Sequence, residues 1–229
     1  NATRVSERIL SACEGSLKRL KTDYIDVYQL HHEPHIEAME LAIETLEGLK
    51  QKGKIRWYGI SCDEVNPVRD LLRFGDITTL QFGYNLLNRT CSNSLELAKN
   101  TNLGTLIKIP LASGLLSGKY FDIQPHLDDV DPRKIRFSSV GALEALIELS
   151  NLRFLTGKGD RTMVQAALRF VLDTDGVTTV IPGAKNRQQL EENAGAMTVS
   201  QLSDEELTLA LQIADRAKIK APTTLTAFY

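Results

Sequence analysis

The chain has 229 residues, 42% of them hydrophobic and 24% charged, with a formal net charge of −2 at pH 7. That is the composition of a globular protein; it holds no basic stripe for nucleic acid and no block of like charge. Cys13, Cys62 and Cys91 are odd in number and far apart, neither a metal-ligand spacing nor a disulfide framework, so the expected compartment is the reducing cytoplasm, and no apolar run approaches the ~20 residues that cross a bilayer.

The opening Asn1-Ala2-Thr3-Arg4 has neither the basic nor the apolar region of a signal peptide. Val5, Ile9, Leu10, Cys13, Leu17 and Leu20 then recur at helical spacing. Next comes Asp23-Tyr24-Ile25-Asp26-Val27-Tyr28-Gln29-Leu30, closed by His31-His32 and Pro34. β-branched and aromatic residues over fewer than ten positions read as a buried strand. It ends on imidazoles, and a histidine can donate a hydrogen bond near neutrality. His32 and His35 read as solvent-facing loop residues.

Ile36 to Gln51 is an amphipathic helix ended by Gly53. Ile55–Ser61 is a second strand. Asn66-Pro67-Val68 opens a short helix, since proline is tolerated in a first turn. Ile77 to Phe82 is a third strand, and Ser94 to Lys99 is helical. Leu103 to Ile109 is a fourth strand, followed by the turn-rich Pro110-Leu111-Ala112-Ser113-Gly114. Tyr120 to Ser139 is polar and reads as the longest loop, where function often resides. Ala142 to Phe154 and Thr162 to Leu172 are helical. Val177 to Ile181 is a fifth strand, closed by Pro182-Gly183, with a helix from Gln188. Ser203-Asp204-Glu205-Glu206 is a capping-box start for a helix to about Ala217. The tail from Ala221 reads as irregular.

Strands alternate with helices throughout, which argues for βα units, a parallel sheet and one domain over residues 1–229. Periodicity alone leaves an open doubly wound sheet and part of a barrel as alternatives. No G-x-G-x-x-G joins the first strand to a helix, so a dinucleotide would be held in some other way.

Several motifs, in this order, carry a resemblance. They are Ser16-Leu17-Lys18-Arg19-Leu20 running into Thr22 to His31, then Gly53-Lys54-Ile55-Arg56 leading to Gly59-Ile60-Ser61. Gln81 with Tyr84-Asn85-Leu86, Pro110 to Lys119, and Ile181-Pro182-Gly183-Ala184 ending in Glu191-Glu192-Asn193 complete the set. Together they resemble the aldo-keto reductase superfamily. The resemblance implies a (β/α)8 barrel and NADPH-dependent reduction of an aldehyde or ketone to an alcohol, with NAD as the alternative cofactor and no metal. Its partners would be a small carbonyl substrate, with neither nucleic acid nor membrane.

By the resemblance, His31 matches the catalytic histidine that orients the carbonyl. Ser61 and Gln81 match the residues that bind the nicotinamide carboxamide. Leu111, Ser113 and Gly114 match the pyrophosphate loop. Gly183, Lys185, Arg187, Gln189, Glu192 and Asn193 match the adenosine end, with Lys185, Arg187 and Gln189 toward the ribose phosphate and Glu192 and Asn193 toward adenine. This chain departs from the family's pattern in having Cys62 after Ser61, Lys108 where an aromatic ring often stacks, and neither a lysine at Gly183 nor an arginine at Gln189.

The resemblance also carries an expectation about the front of the fold. The family's tyrosine, aspartate and lysine come from segments before the helix that opens this chain, so the chain would hold about strands 4–8 with the N-terminal strands absent. Such an arc would expose two sheet edges and tend to self-associate, and it would be inactive by itself. The alternative function is a nonenzymatic nucleotide-binding regulatory relative or an inactive fragment.

Overall fold

The structure is a computed structural model and describes residues 2–121, 141–157 and 160–217. Most of the expected loop at Tyr120 to Ser139, and the whole tail from Ala221, lie outside these residues. The chain divides into two compact units, Asn1–Phe82 with Asn93–Leu106, and Gly83–Ser92 with Ile107–Tyr229.

In the first unit, α1 (Ala2–Leu20) precedes β1 (Ile25–Leu30). Its buried residues Ile9, Cys13 and Leu17 fall at i, i+4 and i+8, so they form one stripe along the helix. That stripe packs on α2 (Met39–Gln51), which buries Ala42, Ile43, Leu46 and Leu49. Thr45 Oγ1, which donates to Leu41 O, is hydrogen-bonded to Ser6 Oγ at 2.9 Å between the two helices. The first turn of the expected helix, Ile36–Ala38, is 3-10 rather than α.

The end of α2 is chemically specified. Gly53 takes φ 69°, its N–H donates to Lys50 O, and that of Lys54 donates to Leu49 O. These two bonds are the Schellman pair, and they need a residue at ease in the left-handed region. β2 (Ile55–Ser61) follows, then α3 (Val65–Leu71), β3 (Thr79–Gly83), α4 (Ser92–Asn100) and β4 (Gly104–Lys108). Tyr58 is fully buried and donates to Glu47 Oε1 at 2.6 Å. Burial first, then that carboxylate, pushes its phenol well above the usual range. Its neighbour Trp57 is half exposed, with Lys50 Nζ 5.2 Å from the ring centre.

The strands hydrogen-bond in chain order, β1-β2-β3-β4-β5, and both β1–β2 and β2–β3 are parallel. Gln29 stands opposite Gly59, which stands opposite Thr79. Because Gly59 has no side chain, the Gln29 carboxamide reaches over it and Nε2 donates to Thr79 Oγ1 at 3.1 Å.

The second unit holds a 3-10 turn at Ala112–Ser117, α5 (Ala142–Ser150), α6 (Met163–Leu172), β5 (Thr179–Ile181), α7 (Arg187–Gly195) and α8 (Asp204–Ala217). The helix expected to reach Phe154 tightens to 3-10 geometry after Ser150. α8 starts on the expected capping box. Glu206 N–H donates to Ser203 Oγ at 3.2 Å and Ser203 N–H to Glu206 Oε2 at 2.9 Å. Arg161 is buried and pairs with Glu206, while its other N–H groups reach Leu155 O, Ser200 Oγ and Gln201 O. A buried guanidinium is tolerated only when its donors are used in this way.

The expected architecture, an eight-stranded barrel lacking its N-terminal strands, is corrected. The described residues form a five-stranded parallel-type α/β arrangement with each strand beside its sequence neighbours. The supposed absence of front strands was an inference from the chain's starting point, which carries no structural information, and it does not stand.

Candidate functional site

The ends of β1, β2 and β3 make a layered edge in the first unit. Leu30, Ile60 and Leu80 are register partners across three strands, and Ile60 and Leu80 are fully buried. One residue further along, Ser61 and Gln81 are partners, and His31 follows Leu30 directly. Since side chains alternate along a strand, an apolar level is succeeded by a polar one at the C-terminal ends of parallel strands. Ser61 is buried and Gln81 half-buried. The next residue, Cys62, donates its N–H to Gln81 O at 2.9 Å. Its thiol donates to Glu64 O at 3.2 Å, and burial pushes the thiol up to about 12. It therefore stays protonated and is a poor nucleophile.

His31 is exposed, with Nδ1 2.9 Å from His32 Nε2 and the rings edge to face. Between two neutral imidazoles only one of these nitrogens carries the proton. When His32 Nε2–H donates, His31 Nδ1 accepts and the His31 proton sits on Nε2, as a donor. His32 is exposed, as expected of a loop residue, but it also orients His31, which its place in the sequence does not disclose.

In the second unit the segment after β4 has an unusual backbone. Ile109, Ala112, Ser113 and Gly114 all take positive φ, at 57°, 50°, 57° and 94°. Such angles cost a non-glycine residue roughly 1–3 kcal/mol each, and a β-branched one most. The bonds that hold the turn are Ala112 N–H to Ile109 O, Gly114 N–H to Leu111 O, and Ser117 Oγ to Gly114 O. Asn85 adds a long-range tie. It is completely buried, its Nδ2 donates to Ile109 O at 3.0 Å, and its Oδ1 accepts from Leu87 N–H at 3.0 Å. Asn85→Ala should leave Leu87 N–H without its acceptor and Ile109 O with only its bond from Ala112 N–H, and so destabilise the protein by about 1–2 kcal/mol. Urea unfolding measures this; an unchanged midpoint would show that the turn holds its shape without Asn85.

The remaining sequence-derived residues surround α7. Gly183, Lys185, Arg187 and Gln189 are exposed. Lys185 N–H donates to Gln189 Oε1 at 2.8 Å, and Arg187 Nε donates to Glu191 at 2.7 Å. Asn186 caps the helix, its Oδ1 accepting from Gln189 N–H at 2.9 Å. Asparagine just before a helical run is a recognisable cap signal, and the sequence reading passed over it. Glu192 is half-buried. Asn193 is buried, and its Nδ2 donates to Gly183 O at 3.3 Å. Leu111 and Val180 pack on a small apolar cluster of Val164, Leu168 and Ala196. The structure thus places His31, Ser61 and Gln81 at neighbouring strand ends in the first unit, and in the second packs Leu111 of the turn on the same small cluster as Ala196 at the end of α7. Among the described residues, no His, Cys, Asp and Glu group is arranged to hold a metal ion, and no helix is long and apolar enough to cross a membrane.

A family model for the aldo/keto reductase family matches residues 2–215. The chain belongs to the aldo/keto reductase family. Its relatives include "Uncharacterized oxidoreductase YqkF" of Bacillus subtilis, 32% identical over 87% of this chain and 63% of that protein. L-glyceraldehyde 3-phosphate reductase of Escherichia coli is also 32% identical, over 87% of this chain and 61% of its own length. The chain therefore spans a little over 60% of the length of these curated relatives. The solved structure of glycerol dehydrogenase AKR11B4 from Gluconobacter oxydans matches with a TM-score of 0.83 and 26% identity, over 96% of this chain and 67% of its own. An aldo/keto reductase from Klebsiella pneumoniae in complex with NADP and acetate matches with a TM-score of 0.70 and 26% identity, over 94% and 67%. These matches run over 94–96% of this chain, so the described strands and helices lie within the family's fold.

Proposed function

We propose that this chain carries the carbonyl-orienting and cofactor-binding parts of an NAD(P)H-dependent reductase of aldehydes or ketones. The observation that supports this reading is the shared level of His31, Ser61 and Gln81 at the ends of three adjacent parallel strands. In α/β proteins with parallel strands, ligands sit beyond the carboxyl ends of the strands.

The residues present suit a nicotinamide dinucleotide. A carboxamide offers both a donor and an acceptor, and so do a serine and a glutamine side by side. The turn at Ala112, Ser113 and Gly114 has left-handed backbone angles and small side chains, a backbone of the kind that can approach a pyrophosphate closely. When bound, the cofactor supplies a hydride to the carbonyl carbon. Ser61 and Gln81 then fix the plane of the carboxamide. His31 donates its Nε2–H to the carbonyl oxygen as negative charge develops there, a preorganised donor of the kind that stabilises an oxyanion. When His32 Nε2–H donates to His31 Nδ1, His31 carries its own proton on Nε2, the tautomer this role needs. NADP is the cofactor proposed, on the two cations Lys185 and Arg187 beside α7, with NAD as the alternative. A cytoplasmic location is proposed with it, on the three buried, free thiols.

The test is titration of the protein with NADPH and with NADH, followed by cofactor fluorescence. Saturable binding, tighter for NADPH, is expected. Failure to bind either nucleotide at millimolar concentration would overturn the proposal, and tighter binding of NADH would overturn its assignment of NADP.

A further inference from the structure

The first turn of α6 lies outside every residue assigned to the cofactor, yet it meets the adenosine-end segment directly. Thr162 and Gln165 form a reciprocal cap. Gln165 N–H donates to Thr162 Oγ1 at 3.2 Å, and Thr162 N–H donates to Gln165 Oε1 at 2.9 Å. This capping box uses only half of the Gln165 carboxamide. The other half, Nε2, donates to the main-chain carbonyl of Glu192 at 3.3 Å. One side chain thus starts α6 and grips α7.

The neighbourhood is shaped for this grip. A Cβ at Gly195 would lie 2.6 Å from Gln165 Nε2, so any side chain there would push the carboxamide off Glu192. Just below, Val164 and Leu168 of α6 pack on Ala196 at the end of α7, with Leu111 and Val180 against the same cluster. Apolar contacts of this kind resist separation but allow sliding, because they are not directional. A hydrogen bond to one particular carbonyl supplies what they lack, a register. The next residue along α7, Asn193, then ties the helix to Gly183 O.

We infer that Gln165 is a positioning residue for the adenosine end of the cofactor: its Nε2–H···O=C bond to Glu192 sets the register of α7 on α6, and with it the places of Gln189, Glu192 and Asn193. The inference rests on the cofactor reading given above. Gln165 itself touches no nucleotide; it acts through the backbone that carries Glu192.

Two variants separate the halves of the carboxamide. Gln165→Glu keeps an oxygen for Thr162 N–H, since glutamate serves equally in a capping box, but it replaces the donor to Glu192 with an acceptor. Thr162→Ala removes the cap oxygen and leaves the Gln165–Glu192 bond. Binding of 2′,5′-ADP, the adenosine bisphosphate half of NADP, is measured by calorimetry on the full chain, alongside the melting temperature. The expected result is about tenfold weaker binding for Gln165→Glu with little change in melting, and a lower melting temperature with binding within about twofold of wild type for Thr162→Ala. Unchanged binding in Gln165→Glu, or equal weakening in both variants, would overturn the inference while leaving the cofactor reading intact. Absence of 2′,5′-ADP binding by the unmutated chain, with NADPH also failing to bind, would overturn both together. NADPH binding without detectable 2′,5′-ADP binding would overturn the inference alone, because α7 would then contribute nothing for Gln165 to place.

Discussion

Gly59→Ala is expected to cost the protein about 3 kcal/mol or more, because the new methyl group has nowhere to go. A Cβ at this position would stand 2.0 Å from Thr79 Oγ1 and 2.3 Å from Thr79 O. The hydroxyl can rotate away, but the carbonyl belongs to β3, so the two strands must separate. The separation falls just ahead of Ser61 and Gln81, the pair proposed to hold the carboxamide. The bond from Gln29 to Thr79, which passes over Gly59, is lost as well. For a protein of this size the melting temperature should fall on the order of 10 °C. Adding Thr79→Ala should restore only a fraction of the loss, since Thr79 O and C remain within 3 Å. A melting temperature within about 2 °C of wild type in the single variant would contradict this close approach of β2 to β3.

His31→Ala is expected to act on chemistry rather than on binding. The side chain is exposed, so truncation opens no cavity and stability should change little. Loss of a hydrogen-bond donor to a developing oxyanion typically lowers kcat by about 10²–10³-fold. The affinity for NADPH should stay within about twofold, because Ser61 and Gln81 are untouched. Steady-state kinetics and cofactor titration on the same preparation separate the two effects. Equal losses in kcat and in cofactor affinity would remove His31 from the role proposed for it.

Signals confined to a few neighbouring residues were readable from the sequence. The stop at Gly53 is one: it needs a left-handed residue and two bonds within six positions, and glycine announces it. The capping box at Ser203 and Glu206 and the bounds of β2 are of the same kind. What was hidden depends on residues far apart in the chain. Asn85 meets the carbonyl of Ile109 across 24 positions, and Gln165 meets that of Glu192 across 27; a lone Asn or Gln gives no hint of its distant acceptor. The left-handed Ile109 was hidden for a different reason. Local preference argues against that angle for a β-branched residue, and only the surrounding bonds hold it there. The five strands of the described residues were legible as apolar runs; the claim that the N-terminal strands are absent was not, because it rested on a family expectation laid over the chain's starting point.

Trp57 gives the protein an internal optical label. It is the only tryptophan in the chain, it stands on β2 four residues before Ser61, and the ammonium of Lys50 sits over its ring. An indole half open to solvent and beside a cation responds to small changes in its surroundings, so emission excited at the indole band follows events in the first unit. Far-ultraviolet dichroism, dominated by helices of both units, follows the whole. Recording both during one denaturant titration turns a single residue into a test of cooperativity: coincident curves mean that the two units unfold as one, and separated curves mean that the strands bearing Ser61 and Gln81 unfold on their own schedule.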